Sequence, residues 1–370
     1  MATHDYVIDN STGANVRTDL NNVLQAILTN NSSGSAPSTT AAYMLWADTS
    51  NNILKMRNSA NDGWIDLRTL TGGITSTADA TINSITVGKG ANSVAGNTVL
   101  GETALDASVS GGNNTAIGKD ALTALTSGAS NVAVGANALD ANTTADNNTA
   151  VGKDALTTNS TGSGNTAVGK GASLGNTTGT DNTAVGLSAL YTNSTGGDNV
   201  AVGRSALENN TTASNNTAVG HDSLKANTTG TLNTAVGSLA LDSNTTGDNN
   251  TAVGYDSLGA NTTGAGNTAL GRASLDANTT ANDNTGLGYF TLTANTTGAS
   301  NTAVGSDALA ANTTASNNTA VGKSALTANT TGSENIAVGG NALDANTTGS
   351  LCVALGRHAL SANTTANSNT

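Results

Sequence analysis

The chain has 370 residues and a net charge of −12, with only 2% aromatic and 10% charged side chains. So few large apolar side chains argue against ordinary globular cores and favour a regular structure that is stabilised by stacking. The acidic balance lacks the basic footprint of a phosphate-binding surface, so nucleic acid is not an expected partner. A single cysteine excludes an intrachain disulfide. The sequence contains no run of 18 apolar residues, so no membrane-spanning helix is expected.

The first 70 residues are predicted to form a small α+β head. They begin with polar sequence around one short apolar patch, residues 6–8. Apolar residues then recur at the spacing of one helix face, which predicts a helix from Thr18 to Thr29 with Thr18 as its N-cap. The apolar positions of this helix are Leu20, Val23, Leu24, Ile27 and Leu28.

Three apolar runs between Ala42 and Leu67 are separated by turn-forming residues, which predicts a three-stranded meander. Both tryptophans, Trp46 and Trp64, belong to these runs. We expect them to form the small core of the meander.

The remaining chain is divided by composition and by repetition. Residues 71–82 are rich in Gly, Ser and Thr and are predicted to be a linker. Residues 83–96 resemble one unit of the repeat that follows but are three residues shorter, which predicts a capping coil. Residues 97–370 are predicted to form the repeat shaft.

The shaft is one 17-residue sequence repeated without insertion or deletion, with the consensus N-T-A-V-G-x-x-A-L-x-A-N-T-T-G-x-N. We number its positions 1 to 17 from the first Asn. Position 1 begins at Asn97 and is held by Cys352 in the sixteenth unit. A fixed period of this length predicts a mostly β fold: a parallel β-solenoid or β-roll of 17-residue coils.

Each unit divides into two predicted strands, for example Asn148 to Val151 and Asp154 to Thr158, with a turn at Gly152-Lys153 and a loop over 159–164. Gly at position 5 recurs in every unit, which indicates a backbone constraint. Apolar residues at positions 4 and 9 predict two core ladders. Their central members are Val151, Leu156, Val185, Leu190, Val219, Leu224, Val253 and Leu258.

One unit departs from the second ladder. It has Ser173 at position 9 and Leu174 at position 10, so we expect a local bulge there. In the first strand Ala150 and Gly152 share one face, while Thr149 and Val151 share the other. Because neither face is charged, we expect the small Ala-Gly face to pack against other copies as a homotrimer; a wide monomeric solenoid is the alternative.

The turn positions 6 and 7 vary freely and carry charges of both signs, which indicates a hydrated rim. A glycan- or receptor-binding stripe is the sharper alternative. The histidines His4, His221 and His358 are scattered, and no catalytic, cofactor or metal-binding pattern is found, so we expect no enzyme and no cofactor. The recurring Asn-Thr-Thr predicts an Asn amide ladder with Thr capping the loop.

The repeats resemble those in the shafts of bacteriophage tail fibres and, more loosely, the N-S-V-A-I-G coils of trimeric autotransporter adhesin heads. Residues 4–8, 13–21 and 46–65 look like the N-terminal segments of tail-fibre proteins in marine phages. The resemblance implies a homotrimeric fibre that docks on the virion through its N-terminus. The docking residues would be Tyr6, Val7, Ile8, Leu20, Leu24, Trp46 and Trp64.

The same resemblance implies the partners and the location. The partners would be further copies of the chain, a phage tail or virion adaptor protein, and a distal fibre protein or a bacterial surface receptor. No membrane insertion is expected. The N-terminus lacks the basic end and apolar run of a secretory signal, which predicts synthesis in a cytoplasm. The resemblance implies that this is the host bacterial cytoplasm and that the protein is assembled into the virion.

Three other functions compete with this one. A cell-surface trimeric adhesin is disfavoured by the missing signal, and a polysaccharide-degrading spike by its lack of paired carboxylates. An ice- or surface-binding solenoid would place two Thr of a T-x-T motif on one flat face. The adjacent Thr143 and Thr144 instead point in opposite directions if the chain is extended.

Overall fold

The computed structural model describes residues 16–18, 20–22, 24, 32–38, 40–69 and 79–370. The chain separates into two compact units, Met1–Ala80 and Thr81–Thr370. The predicted boundary at residue 70 and most of the predicted linker fall outside the described residues.

The first unit contains a helical segment and a small sheet. Residues 16–18, 20–22 and 24 are helical, so Thr18 lies inside the helix and the prediction that it is the N-cap is wrong. The strands β1 (Leu45–Asp48), β2 (Ile53–Arg57) and β3 (Trp64–Thr69) form an antiparallel sheet in that order, with a bulge between residues 54 and 55. This confirms the predicted meander.

The two tryptophans pack against each other in this sheet, as predicted. Trp46 is only 5% exposed, and its ring centroid lies 5.2 Å from that of Trp64. The Lys55 ammonium lies 5.5 Å from the Trp46 ring and the Arg57 guanidinium 5.3 Å from the Trp64 ring. Both basic residues come from β2, so the central strand holds the aromatic pair by cation–π contacts.

The second unit begins with a cap that differs from the prediction. It contains β4 (Ala80–Ile82), β5 (Ile85–Gly88) and a short 3-10 helix at Ala91–Ser93. Strand β5 runs antiparallel to the first shaft strand, with Val87 opposite Leu100. Residues 83–96 are therefore no shortened copy of the repeat, because they reverse the chain direction before the parallel stack begins.

The shaft is a stack of short parallel strands in one register. Each residue pairs with the residue at the same position of the next coil, as in Thr166 with Thr183 and Ala167 with Ala184. The shaft strands are β6 (Thr98–Gly101), β7 (Thr115–Ile117), β8 (Val132–Val134), β9 (Thr149–Val151), β10 (Thr166–Val168), β11 (Thr183–Val185), β12 (Val200–Val202), β13 (Thr217–Val219), β14 (Thr234–Val236), β15 (Thr251–Val253), β16 (Thr268–Leu270), β17 (Thr285–Leu287), β18 (Thr302–Val304), β19 (Thr319–Val321), β20 (Ile336–Val338) and β21 (Val353–Leu355). This is the predicted parallel β-solenoid of 17-residue coils.

The second predicted strand of each unit does not form. Residues 154–158 are turns, and positions 7 and 9 adopt left-handed backbone angles, with φ of 59° at Asp154 and 51° at Leu156. A left-handed conformation costs a non-glycine residue roughly 1–2 kcal/mol. The coil accepts this cost at position 9 because the tight turn places the Leu side chain in the core.

Gly at position 5 is required by a constraint on the backbone, as its recurrence indicates. Gly152 has φ of 138°, and a Cβ added to it would lie 2.5 Å from the carbonyl oxygen of Gly169 in the next coil. Both the backbone angle and the close approach of neighbouring coils exclude a side chain at this position.

The core contains only one of the two predicted ladders. The Leu members at position 9 (Leu156, Leu190, Leu224 and Leu258) are fully buried, and they pack with small residues at positions 3 and 8. The prediction that position 4 lies in the core is wrong. Val151 and Val253 are 36% and 37% exposed, and Val185 and Val219 are half-buried.

The reason is the alternation of side chains along the strand. Positions 1 and 3 point inward, so positions 2 and 4 point outward. Ala150 is completely buried. The small face that we expected on the outside is therefore the lining of the core, and it is not available to pack against another chain.

Two ladders of buried Asn side chains connect the coils, which confirms the predicted amide ladder at position 12 and adds a second one at position 1. The side-chain Oδ1 of Asn148 accepts a hydrogen bond from the backbone N–H of Asn165, at 2.9 Å. Its amide and that of Asn159 at position 12 both donate to the carbonyl of Gly162, each at 2.9 Å. In most coils these amides tie the closing loop to the strand and leave few buried polar atoms unpaired. The exceptions are the first two coils, with Ser108 and Leu125 at position 12, and the last, with Cys352 at position 1.

Ser173 takes the place of the core Leu without the expected bulge. Its φ of 49° matches that of the Leu residues at position 9, and the strands on both sides keep their register. The side chain is 1% exposed, and its hydroxyl has no hydrogen-bond partner within the described residues. The coil therefore keeps the geometry of the repeat and carries an unpaired polar group in its core.

We expect Ser173→Leu to stabilise the shaft. The substitution restores the core residue of the other coils and removes a buried, unpaired hydroxyl, which together should add about 2 kcal/mol to the free energy of unfolding. Urea or thermal unfolding followed by circular dichroism measures the change. Ser188→Leu, which adds the same side chain at a half-exposed turn position of the next coil, is the control and should give no comparable gain.

We expect Ala252→Leu and Val253→Leu to have opposite outcomes although the residues are adjacent. Ala252 is fully buried, so the larger side chain should overpack the core and cost about 1–3 kcal/mol. Val253 faces outward, and Leu270 holds the same position in the next coil, so Val253→Leu should change stability by less than about 0.5 kcal/mol. Equal losses for both variants would contradict the assignment of inward and outward positions.

Candidate functional site: the outward surfaces of the solenoid

The described residues include no group of three or more His, Cys, Asp or Glu side chains placed to hold a metal ion. In the same part of the chain, no helix has both the length and the apolarity that crossing a membrane requires. His221 lies at position 6 of its coil, with its Nδ1 3.5 Å from a carboxylate oxygen of Asp222. The surfaces that remain as candidates are those that repeat along the coils.

The largest of these is the outward face of the strands, which we call the Thr-Val face. It consists of the side chains at positions 2 and 4 of β6 to β21. Position 2 is Thr in most coils and otherwise Val or Ile, and position 4 is always Val, Ile or Leu. The face therefore carries no charge, and its apolar column remains about 40% exposed at Leu270 and Val338.

The Thr-Val face is regular as well as uncharged. Its side chains lie in register from coil to coil, as in Val168 beside Val185. At a strand spacing of about 4.8 Å, sixteen coils extend the face over about 75 Å. A continuous apolar stripe of this length is far larger than the scattered apolar side chains of an ordinary surface, which indicates an interaction site.

The residues at positions 3 and 4 of the repeat distinguish the inward from the outward face of the strand. Position 3 is Ala in every unit except for Val99 and Gly286, although Ala is a poor strand former. Strict retention of a small residue indicates tight interior packing, whereas position 4 exchanges Val, Ile and Leu as an outward position can.

The second surface is the turn edge, which we define as positions 6, 7 and 10 of the coils. It carries ion pairs, including the exposed pair of Lys119 with Glu102 at 3.4 Å and the partly exposed pair of Lys225 with Asp222 at 3.3 Å. Exposed pairs of this kind contribute little, about 0–1 kcal/mol. Most of the turn edge is thus a hydrated rim of mixed charge.

Part of this edge concentrates negative charge. Asp242 and Asp276 lie at position 10 of coils that are two apart, and Asp256 lies at position 7 of the coil between them. Partial burial raises the pKa of Asp242 and of Asp276, and the negative charge of Asp256 raises both pKa values further. Burial and the charge of Asp120 likewise raise the pKa of Asp140, although a hydrogen bond from Thr123 opposes them.

The predicted docking residues of the head do not form one described surface. Tyr6, Val7 and Ile8 lie outside the described residues. Leu20 and Leu24 are 46% and 50% exposed on the helical segment. The structure brings Trp46 and Trp64 together, but as the core of the meander, so Trp46 offers almost no surface to a partner.

No family model, no curated protein and no solved structure matches this chain.

We expect Asp242→Asn with Asp276→Asn to raise the melting temperature of the shaft at pH 7. Because the pKa of each group is raised in the folded state, the native shaft binds protons more readily than the unfolded chain. Its stability therefore rises as pH falls from neutral through the folded pKa. The advantage of the variant should shrink over this interval and vanish below about pH 3.9, the ordinary Asp pKa.

Melting curves of the wild type and the double variant between pH 3.5 and pH 7.5 provide the measurement. Asp181→Asn, at an exposed loop position, is the matched control and should show no such advantage. A constant difference across the whole range would contradict the role of proton binding.

Proposed function

We propose that this protein is the shaft of a phage tail fibre, a non-enzymatic homotrimer whose chains associate through the Thr-Val face. In this role the N-terminal unit docks on a tail or virion adaptor protein. The shaft carries host attachment to a distal fibre protein or a bacterial surface receptor. The protein is made in the host cytoplasm and incorporated into the virion.

The observation that carries the proposal is the uncharged, apolar stripe along the whole stack. The coil needs its inward Ala and Leu side chains for its own core, but nothing in the coil requires an apolar residue at the outward position 4. Val, Ile or Leu is nevertheless present there in every unit. Association with further copies would remove these side chains from water and explain their presence. The resemblance of the repeats and of the N-terminal residues to tail-fibre sequences supports the same role.

A second candidate is binding to an extended regular surface such as ice. The adjacent Thr143 and Thr144 argue against this function. The strands, however, present a different array, formed by their outward Thr and Val side chains. Thr149 and Val151 alternate with inward residues, and their counterparts repeat in register along a charge-free face. An array of hydroxyl and methyl groups at a fixed spacing is suited to a periodic surface.

Light scattering of the purified chain distinguishes the two candidates. A mass of three times 36.0 kDa supports the fibre. A mass of 36.0 kDa together with inhibition of ice recrystallisation supports the surface-binding protein and contradicts the trimer.

We expect Val219→Lys with Val253→Lys to convert the trimer to monomers. Both residues lie in the outward column, where charges brought face to face between chains would carry a large desolvation cost. Light scattering should show the loss of the trimer, while circular dichroism should still show the β-solenoid. Thr246→Lys, at an exposed loop position, is the control that should leave the mass unchanged. A trimer that survives the paired Lys substitutions would place the interface elsewhere.

A further inference from the structure

One aromatic cluster interrupts the repeat on the turn edge. Position 6 holds Tyr255, Arg272 and Tyr289 in three consecutive coils, and Phe290 follows at position 7. Only one other aromatic residue, Tyr191, occurs in the second unit. We call these four clustered residues the Tyr-Arg patch. Their concentration in three coils of a chain that is poor in aromatics shows a local departure from the repeat that the fold does not need.

The patch is held together by cation–π contacts across the stack. The Arg272 guanidinium carbon lies 5.8 Å from the ring centroids of both Tyr255 and Tyr289 and 5.7 Å from that of Phe290. The Tyr289 and Phe290 rings meet edge to face, with centroids 4.2 Å apart. These distances lie within the range of cation–π attraction, which favours the clustered arrangement of the side chains without a ligand.

The patch nevertheless has ring surface and hydrogen-bond donors that a ligand could contact. Tyr255 and Tyr289 are 50% and 46% exposed, and the neighbouring position-6 residues, Ser238 and Ser306, are too small to cover them. Within the described residues, the Arg272 guanidinium forms neither an ion pair nor a hydrogen bond. An arginine has five N–H donors, so the patch combines exposed ring surface with unused donors.

We propose that the Tyr-Arg patch binds a neutral oligosaccharide chain that lies along the edge of the shaft. The apolar C–H face of a sugar ring packs on the electron-rich face of an aromatic ring, and the Arg272 donors reach the hydroxyl oxygens of the sugar. The two tyrosines are two coils apart, about 10 Å along the stack, which suits consecutive sugar units of one chain. The binding site does not depend on the proposed fibre role, because it is complete within three coils of one chain.

The size and charge of the surroundings favour this ligand over two others. A stable protein interface buries about 800 Å² on each partner, which greatly exceeds a patch that ends at Ser238 and Ser306. An acidic glycan would meet the carboxylates of Asp242, Asp256 and Asp276 on the same edge and the net charge of −12. The carboxylate oxygens of these Asp residues are instead suited to accept hydrogen bonds from neutral sugar hydroxyls.

The test is affinity electrophoresis of the full chain in gels that contain dextran, mannan or xyloglucan, with hyaluronate as an acidic probe. We expect retardation by at least one neutral polysaccharide. Tyr255→Ala with Tyr289→Ala should weaken this binding at least tenfold, and Arg272→Ala should weaken it several-fold. Tyr255→Phe with Tyr289→Phe keeps the rings and should preserve most of the binding.

Tyr191→Ala is the matched control, since it removes an aromatic residue of the same shaft outside the patch, and its binding should equal that of the wild type. Unchanged melting temperatures of the variants establish that loss of binding is not loss of fold. The proposal is overturned if no neutral polysaccharide binds or if hyaluronate alone binds. It is also overturned if binding survives the removal of both tyrosines.

Discussion

Coil-to-coil hydrogen bonding in a single register is the constraint on which the rest of this structure depends. The backbone of each strand pairs with the next coil, and two buried amides in most coils, such as Asn148 and Asn159, tie the closing loop to both strand and neighbour. A shift by one residue would move the Asn side chains out of the core and leave buried carbonyls unpaired. The exact 17-residue period follows, because an insertion in one coil would break both ladders.

This register divides the coil into positions that the fold fixes and positions that it leaves open. Leu156 turns inward only because the backbone accepts a left-handed conformation, and Gly152 is fixed by the carbonyl of the following coil. Positions 6, 7 and 10 contribute little to these contacts and can vary without loss of the stack. Features at the open positions, such as the cluster around Arg272, therefore call for an explanation other than folding.

The outward side chains at positions 2 and 4 belong to neither group. They are regular, as fixed positions are, yet the coil itself leaves them partly exposed. In a single chain they leave an apolar column in water along the complete stack, with Val168 37% exposed as a typical member. Regularity combined with exposure that the coil does not remove is what an interface between chains, or with an extended surface, would produce.

The sequence by itself determined the period, the parallel stacking, the need for Gly at position 5, the Leu core and the three-stranded meander around Trp46 and Trp64. These follow from local pattern and from repetition. The repeated copies of one position show which residues the same environment tolerates. Only the tertiary structure decided which face of the short strand is inside, that residues 154–158 turn and do not extend, and that the cap runs antiparallel. A three-residue strand presents two uncharged faces of similar polarity, so the choice between them depends on where the turns aim Leu156. That direction is set by left-handed backbone angles that no periodic pattern in the sequence encodes.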